Sequence, residues 1–305
     1  MLRYISKRLL YSLLVLIGVG AVVFLLVRLS GDPVLLLMPP EATNEDIERM
    51  RHLMGLDRPL AVQFVVFLRD MLQGNMGESL RYRQPALPLM LERLPATLEL
   101  AGAAMAFAVV ISIPLGVIAA VRRGSWIDTF ASVFALIGQA TPVFWLGLMG
   151  ILLFSVKLRW LPSQGRGTWQ QLLMPAITLG MFSAAMIMRM TRSAMLEVLS
   201  QDYVRTARAK GLSNRVVIFK HALKNAMIPV ITVLGLQFGG LLGGSVVTET
   251  VFAWPGVGRL LVQSILGRDY PVVQAITIGI SLVFVVINLV VDLTYGLLDP
   301  RVRYS

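Results

Sequence analysis

The most distinctive polar segment of this 305-residue chain runs from Asp202 to Asn225 and lies between two long apolar runs. It contains one acid, Asp202, and six basic residues, which are Arg205, Arg208, Lys210, Arg215, Lys220 and Lys224. This charge excludes the segment from lipid. Gly211 can end a first helix in the left-handed conformation, and Ser213 can cap a second helix. The pattern therefore predicts a surface helix, a sharp turn and another helix, an arrangement suited to docking a partner.

Residue types that carry out covalent or metal chemistry are scarce. The chain has no cysteine, and its two histidines, His52 and His221, fall in segments predicted on opposite sides of a membrane. Disulfides and thiolate metal sites are therefore excluded, and a histidine metal centre is disfavoured. Neither a nucleophile elbow nor a phosphate-binding G-x-x-x-x-G-K-[ST] occurs. We predict no catalytic residue, no metal and no cofactor. If ATP drives the activity of this protein, the ATPase must be a separate chain.

The rest of the sequence is strongly apolar, with 56% hydrophobic residues, 15% charged residues and a mean hydropathy of +0.73. The charge-free runs are Leu9 to Val27, Leu100 to Val121, Thr129 to Val156, Leu172 to Met188, Asn225 to Thr248 and Tyr270 to Val291. About 20 helical residues cross a bilayer core of roughly 30 Å, so each run can span once, and the fourth is marginal unless it extends past Arg189. The predicted fold is an all-α integral membrane protein with six transmembrane helices.

Basic residues indicate the orientation. Residues 1–8, the turn 122–128, the segment 189–224 and the tail from Asp299 hold fifteen Lys and Arg against four Asp and Glu. The remaining loops hold thirteen against eleven. Because positive charge is enriched on the cytoplasmic side, both termini are predicted there. One loop disagrees, since Lys157, Arg159 and Arg166 form an acid-free turn on the predicted outer side.

Three regions follow from this topology: residues 1–29 with the first span, a periplasmic helical segment 30–93, and a five-span core 94–305 that includes the cytoplasmic segment 192–224. The basic start and first apolar run favour an uncleaved span over a signal peptide, because no small-residue cleavage site follows. In the outer segment, Thr43 or Asn44 and then Gly55 bound one predicted helix, and Pro59 and Gly74 bound another. This segment is interpreted as a packed cap, a docking surface for a delivery protein, or both.

Polar residues in the spans are candidates for lining a path. Pro142, with Gln139 and Thr141 beside it, predicts a cavity-facing bend in the third span. Gln237 and Asn288 could line the same cavity. For each of these polar residues, hydrogen bonding between helices is the alternative that we favour over contact with a solute.

From the charge-free runs, we expect Glu99 and Asp292 to be the only acidic residues in or beside the spans. Glu99 follows Pro95 by one turn, so a helix N-terminus is expected to stabilise it. Asp292 is expected to pair with a base of the cytoplasmic segment. Residues 252–260, rich in glycine and proline, predict a short outer re-entrant or hairpin loop that serves either as a gate or as packing.

The segment around Gly211 resembles the cytosolic coupling segment of bacterial ABC-importer permeases. That signature is Glu-Ala-Ala, three residues, Gly, nine residues, Ile, one residue and Leu-Pro, and here Ala207, Gly211 and Leu223 match it. The strings YVRTARAKG and HALKNAMIP are similar to the branch of dipeptide, oligopeptide, nickel and glutathione permeases. Further similar motifs are Gly31-Asp32-Pro33, Gly55-Leu56-Asp57-Arg58-Pro59-Leu60, Leu94-Pro95-Ala96-Thr97-Leu98, Phe252-Ala253-Trp254-Pro255-Gly256-Val257-Gly258-Arg259-Leu260 and Asp299-Pro300-Arg301.

The resemblance implies a type I importer permease fold with a cytosolic coupling helix, in the bacterial cytoplasmic (inner) membrane. The residues it places against an ATPase subunit are Asp202, Tyr203, Arg205, Thr206, Ala207, Arg208, Ala209, Lys210, Gly211 and Leu212. Implied partners are a second homologous permease, two ATPase subunits, a periplasmic or lipid-anchored binding protein and the lipid bilayer, but no nucleic acid. The expected solute is a di- or oligopeptide or glutathione. Nickel or another chelated metal is the alternative solute, although nickel would favour a higher density of His and Cys. The remote alternative for the class of protein is an ion-coupled secondary transporter.

Overall fold

The computed structural model describes the backbone of residues 2–29, 34, 42–53 and 55–298 and the side chains of residues 8, 10–29, 34, 42–53 and 55–290. Within these residues the chain is helical, and the only strand-like pairing is an isolated bridge between Glu78 and Pro85. The α-helices are α1 (Leu2–Leu29), α2 (Asn44–Leu53), α3 (Leu60–Leu72), α4 (Ala86–Val121), α5 (Trp126–Ala140), α6 (Val143–Gly150), α7 (Trp169–Leu199), α8 (Asp202–Ala209), α9 (Asn214–Val216), α10 (Leu223–Val251), α11 (Val257–Leu266) and α12 (Tyr270–Leu298). Two π-helical segments, Ile151–Lys157 and Val217–Ala222, extend α6 and join α9 to α10.

Five helical stretches in the described residues are long and apolar enough to cross a membrane. They are Leu10–Leu29, Ala86–Val121, Trp169–Leu199, Asn214–Val251 and Tyr270–Val290. The pair Trp126–Ala140 and Val143–Lys157 passes the same test as one broken span. These spans confirm the predicted fold class. The fourth apolar run, which was marginal in length, continues past Arg189 as part of α7, a helix of 31 residues.

The third span is broken where the sequence predicts a bend. α5 ends at Ala140, Thr141 is extended, and Pro142 stands at the N-cap of α6 with φ −61° and ψ 134°. The two halves are bent by 104°. Proline lacks the N–H that would continue the α5 hydrogen bonds, and it restricts the preceding residue to extended conformations. The predicted bend is therefore confirmed.

The chain divides into two compact units, and the first comprises residues 1–95 and 260–285. In this unit α1 packs against α3 through three aromatic rings. The centroid of the buried Phe24 ring lies 5.4 Å from that of Phe64 and 5.6 Å from that of Phe67. Tilted rings at this separation attract one another in addition to burying apolar area.

The two helices predicted in the outer segment are present as α2 and α3. Thr43 caps α2, because its hydroxyl accepts the N–H of Asp46 at 3.3 Å while the Asp46 carboxylate accepts the Thr43 N–H at 3.2 Å. The Thr43 hydroxyl also donates to the Asp46 carboxylate at 2.6 Å, and this bond, with the one from the Thr43 N–H, holds the pKa of Asp46 below its ordinary value. Gly55 and Gly74, which follow the two helices, adopt φ values of 64° and 74°. Both ends are thus set by the residues that predicted them.

Asp269 is a buried acid that ties the start of α12 to the hairpin at residues 77–86. Its carboxylate accepts the hydroxyl of Ser79 at 2.5 Å and the N–H of Leu80 at 3.2 Å. A buried carboxylate is costly without donors, so these bonds fix the hairpin in place. The sequence patterns gave no indication of this contact.

The second unit comprises residues 96–259 and 286–305, and α7 is its central helix, packed against α4, α5 and α10. Small residues bring α4 and α7 into backbone contact. A Cβ added to Gly180 would lie 2.5 Å from the carbonyl oxygen of Ala104. The hydroxyl of Ser112 also donates to the carbonyl of Ala184 at 2.6 Å. Close approach over small residues, joined by interhelical hydrogen bonds, is the usual way that helices associate in lipid.

One expectation about α4 is wrong. α4 begins at Ala86, nine residues before Pro95, so Glu99 lies in the helix interior and not near an N-terminus. Its Oε2 instead accepts Nη2 of Arg166 at 2.6 Å and Nε at 2.8 Å. The pair supplies a counter-ion from α4 to Arg166, one of the three basic residues of the loop predicted on the outer side.

An ion pair joins two of the segments assigned to the cytoplasmic side. Arg192 on α7 donates from Nε and Nη2 to the two carboxylate oxygens of Asp128 on α5, at 2.5 and 2.9 Å. Asp128 also accepts the N–H of Gly124 at 2.9 Å. The turn 122–128 and the segment after Arg189 therefore meet at one end of this unit.

Candidate functional site

The predicted surface helix is present as α8, and the predicted turn after it has a defined geometry. Gly211 adopts φ 74°. Its N–H donates to the carbonyl of Arg208 at 2.9 Å, and the N–H of Leu212 donates to the carbonyl of Ala207 at 3.4 Å. This pair of bonds defines a Schellman motif, which requires a left-handed residue at the position of Gly211. Ser213 then occupies the N-cap of α9, although its side chain makes no capping hydrogen bond.

A small apolar core holds α8 on the protein. Val204 is fully buried and Ala207 is 7% exposed, and both pack against the buried Val217, with Val198 and Leu199 beside them. Burial of this stripe fixes which face of α8 points outward. Ala207, which the resemblance places against an ATPase subunit, thus lies on the inner stripe of α8 in this structure.

The outward face of α8 and its turn combines apolar and basic groups. Tyr203 and Leu212 are 41% and 40% exposed. The other predicted coupling residues are also exposed, and they are Asp202, Arg205, Thr206, Arg208, Ala209, Lys210 and Gly211. Nδ2 of Asn225 donates to the Tyr203 hydroxyl at 2.8 Å, so the tyrosine is anchored to the segment that leads into α10. We call the exposed residues of 202–212 the coupling surface.

Sequence reasoning missed a large apolar side chain in the segment that follows the coupling surface. Phe219 is 62% exposed and lies in the π-helical segment between α9 and α10. An exposed phenylalanine within a basic segment is a common feature of protein-binding surfaces. Its signal in the sequence was a bulky apolar residue between Arg215 and Lys220, which was passed over in favour of the charges.

The predicted path residues form two contacts on α7. The Gln139 carboxamide accepts Nη2 of Arg189 at 2.5 Å, and its Nε2 lies 2.9 Å from the sulfur of Met186. Gln237 accepts the hydroxyl of Ser183 at 3.1 Å. Both are contacts between helices in this structure.

The other path candidates are not drawn into these contacts. Thr141 and Pro142 stand at the break between α5 and α6, and Pro142 is exposed. Asn288 lies on α12, and among the described side chains it is not a partner of Gln139 or Gln237. The side chain of Asp292, and with it the expected pairing, lies outside the described residues.

The count of acids made from the sequence is wrong, because Asp128 and Glu249 also lie in helices of the candidate spans. Glu249 is fully buried near the end of α10. Its Oε1 accepts the Thr97 hydroxyl at 2.7 Å, and its Oε2 accepts the N–H of Arg259 at 2.9 Å. The Thr97 oxygen in turn accepts the N–H of Val257 at 2.8 Å.

This Glu249 cluster, made of Thr97, Glu249, Val257 and Arg259, caps the N-terminus of α11. Val257 and Arg259 are the first and third residues of that helix, whose N–H groups have no partner within it. The carboxylate also complements the positive end of the helix dipole. A Cβ added to Gly256 would lie 2.4 Å from the Glu249 carboxyl group, so the turn needs glycine there.

The predicted outer loop 252–260 is also held by contacts with the start of the second unit and with Arg166. Trp254 is fully buried and its Nε1 donates to the carbonyl of Ala96 at 2.8 Å. The Arg166 guanidinium lies 6.0 Å from the centroid of the Trp254 ring, within the range of a cation–π contact. The loop is therefore a packed turn between α10 and α11 in this structure.

Two family models cover most of the chain. Residues 112–304 match the binding-protein-dependent transport system inner membrane component, and residues 1–101 match the N-terminal part of the same kind of membrane component. Among curated proteins, the glutathione transport system permease protein GsiC of Escherichia coli (strain K12) is 48% identical over 306 residues, which is 100% of each chain. GsiC of Salmonella paratyphi A (strain ATCC 9150 / SARB42) is 47% identical with the same coverage.

Solved structures agree on the fold. An inward-facing structure of the MetNI methionine ABC transporter matches with a TM-score of 0.60 and 22% identity, covering 69% of this chain and 96% of that one. A second crystal form of MetNI matches with a TM-score of 0.58 and 21% identity, over 69% and 96% of the two chains. The full-length relatives and the two family models together show that this chain belongs to the family of binding-protein-dependent transport system inner membrane components.

Proposed function

We propose that this chain forms, with a second homologous permease, the membrane path of an importer for a small peptide-type solute, and that two separate ATPase subunits drive it. The observation that carries the proposal is the coupling surface. An exposed helix is held by a buried stripe at Val204 and Ala207 and closed by a Schellman turn at Gly211. It is therefore rigid enough to transmit a push from a docked ATPase subunit, and its exposed tyrosine and leucine offer that subunit an apolar contact.

Glutathione is the solute that we place first. The relatives that are 47–48% identical over their whole length are glutathione permeases. A di- or oligopeptide is chemically close to glutathione, and nickel or another chelated metal remains the alternative. In this class of importer the binding protein determines most of the selectivity for the solute, so the permease needs only a path that accepts peptide-like groups.

Both termini are proposed to lie in the cytoplasm, with residues 30–93 in the periplasm. Two contacts support this orientation. The Asp128–Arg192 pair brings together two segments assigned to the cytoplasmic side, and the Glu99–Arg166 pair supplies an acid to the basic loop assigned to the outer side. The charge count supports the same orientation, because the segments assigned to the cytoplasmic side hold fifteen Lys and Arg against four Asp and Glu.

The experiment combines reconstitution with a topology test. The chain is reconstituted with its partner permease, ATPase subunits and binding protein in proteoliposomes, and ATP-dependent uptake of glutathione and alanyl-alanine is measured. Single cysteines at Glu48 and Ser213, in a chain without other cysteines, are labelled with an impermeant thiol reagent. We expect uptake that requires ATP and the binding protein, and labelling from opposite sides. Uptake that persists without the ATPase subunits, or labelling from the same side, would refute the proposal.

A further inference from the structure

Among the residues of the second unit whose side chains the structure describes, Arg189 on α7 is a cation with no carboxylate partner. The residue is exposed and lies within the candidate span Trp169–Leu199. Its guanidinium donates to a neutral acceptor, the Gln139 carboxamide, at 2.5 Å. In the described part of the chain no carboxylate lies within ion-pair distance of it, whereas Arg192, one turn further on, is paired with Asp128.

The guanidinium reaches deep into the membrane region. Gln139 and Asp128 are both on α5 and eleven residues apart, which corresponds to about 16 Å along the helix axis. Asp128 lies in the first turn of α5, at the end of the candidate span. A bilayer core is about 30 Å thick, so a group bound to Gln139 lies near half depth. A charge at that level is sustained where it faces protein or a water-filled path and not lipid.

Polar groups are arranged in a row beside this cation. Ser183, Met186 and Arg189 follow one another at intervals of three residues, so each is a neighbour of the next on the surface of α7. Gln237 of α10 approaches Ser183 at 3.1 Å, and Gln139 approaches from the end of α5, next to the break at Pro142. The Nε2 of Gln139 lies at the Met186 sulfur, which leaves its Oε1 directed to Arg189. Two carboxamides and one guanidinium therefore follow one another along two turns of α7.

We infer that Arg189, together with Gln139 and Gln237, forms a binding station for a carboxylate-bearing peptide solute within the membrane path, an inference that rests on the proposed function. The solute carboxylate replaces the Gln139 oxygen as the partner of the guanidinium, since a charged acceptor in bidentate geometry binds arginine more strongly than a neutral one. The two carboxamides then supply a donor and an acceptor to the peptide groups. Because the cation has a neutral partner when the station is empty, it is not left unsatisfied between solutes.

A purely structural role for Arg189 makes a different prediction from a binding role, and one substitution separates them. Gln139→Glu gives Arg189 an internal carboxylate. If the contact serves only to hold α5 to α7, this stronger bond keeps or raises thermal stability and leaves uptake intact. If Arg189 binds the solute, the new ion pair occupies the cation and uptake falls while stability is kept.

The test uses the complete transporter in proteoliposomes, with saturating binding protein and with glutathione and alanyl-alanine as probes. Gln139→Glu and Arg189→Gln are compared with Arg189→Lys, which keeps the charge, and with Lys157→Gln, which removes an exposed positive charge at the end of the π-helical extension of α6. We expect both Gln139→Glu and Arg189→Gln to lower uptake by about tenfold or more relative to Lys157→Gln, as expected for loss of a charge-assisted hydrogen bond. Arg189→Lys should restore part of the uptake, and ATP hydrolysis stimulated by the binding protein should persist in all four.

Three outcomes would overturn the inference. Normal uptake by Gln139→Glu would show that the cation need not be available. Loss of uptake together with a lower melting temperature would show that the contact is structural. If the wild-type complex takes up neither probe, the peptide-type solute of the proposed function fails, and the station falls with it.

Discussion

Replacing Gly211 by valine tests whether the turn after α8 positions the coupling surface. The residue has φ 74°, and a Cβ at this position would meet no atom within 4 Å. Any cost therefore comes from the backbone and not from a clash. Holding an L-residue in this conformation costs about 1–2 kcal/mol, which corresponds to roughly a 5- to 30-fold shift in the population of the turn. We expect binding of the ATPase subunit to weaken by a factor in that range, and uptake to fall with it.

The matched control is Gly211→Asn, because asparagine adopts the left-handed conformation more readily than other residues with a side chain. Kd for the ATPase subunit is measured with the purified, detergent-solubilised permease, and abundance in the membrane is measured by immunoblot. Both variants should insert normally, since the turn lies outside the spans. The reasoning is refuted if Gly211→Val binds the ATPase subunit as tightly as the wild type. It is also refuted if asparagine is as harmful as valine, because the backbone conformation would then not be the cause.

Three further predictions concern packing and charge. Val204→Asp places a carboxylate in the fully buried stripe under α8, so ATPase-subunit binding should be lost while membrane abundance is kept; binding at the wild-type level would contradict the role of that stripe. Thr97→Val removes both hydrogen bonds that threonine makes in the Glu249 cluster, so it should lower the free energy of unfolding by about 1–3 kcal/mol. Thr97→Ser keeps the hydroxyl and should not destabilise the protein. Equal melting temperatures for Thr97→Val and the wild type would contradict the role of the cluster. Arg166→Gln breaks the ion pair with Glu99, whose side chains are 37% and 41% exposed, so the free energy of unfolding should fall by less than about 1 kcal/mol. A larger loss would show that the contact of Arg166 with Trp254 contributes more than the ion pair.

Features governed by local chain geometry could be predicted from the sequence. The ends of α2 and α3, the left-handed turn at Gly211 and the bend at Pro142 each depend on residues within one helical turn of the feature. A glycine, a capping hydroxyl or a missing N–H acts on the backbone next to it, so its effect does not depend on tertiary contacts.

Features that depend on distant partners could not be predicted. Glu249 was passed over because its donors come from Thr97, 152 residues away, and from the first turn of another helix. Glu99 was assigned the wrong stabilising group because its helix starts earlier than the apolar run, and Arg166 reaches it from a loop. The face of α8 on which Ala207 lies could not be predicted, because a helix of eight residues with small and basic side chains leaves its inner face undecided until Val217 covers it.

The helical stretch from Asn214 to Val251 has a mechanical consequence. Its 38 residues extend for about 57 Å, nearly twice the thickness of a bilayer core. Its first residue follows the turn that ends the coupling surface, and Glu249 lies two residues before its last. One continuous helical stretch therefore begins beside the proposed ATPase-docking surface and ends near the buried carboxylate that caps α11. If an ATPase subunit docks as proposed, a displacement of the coupling surface reaches Glu249 through helix alone, and the π-helical segment Val217–Ala222 lies on that route.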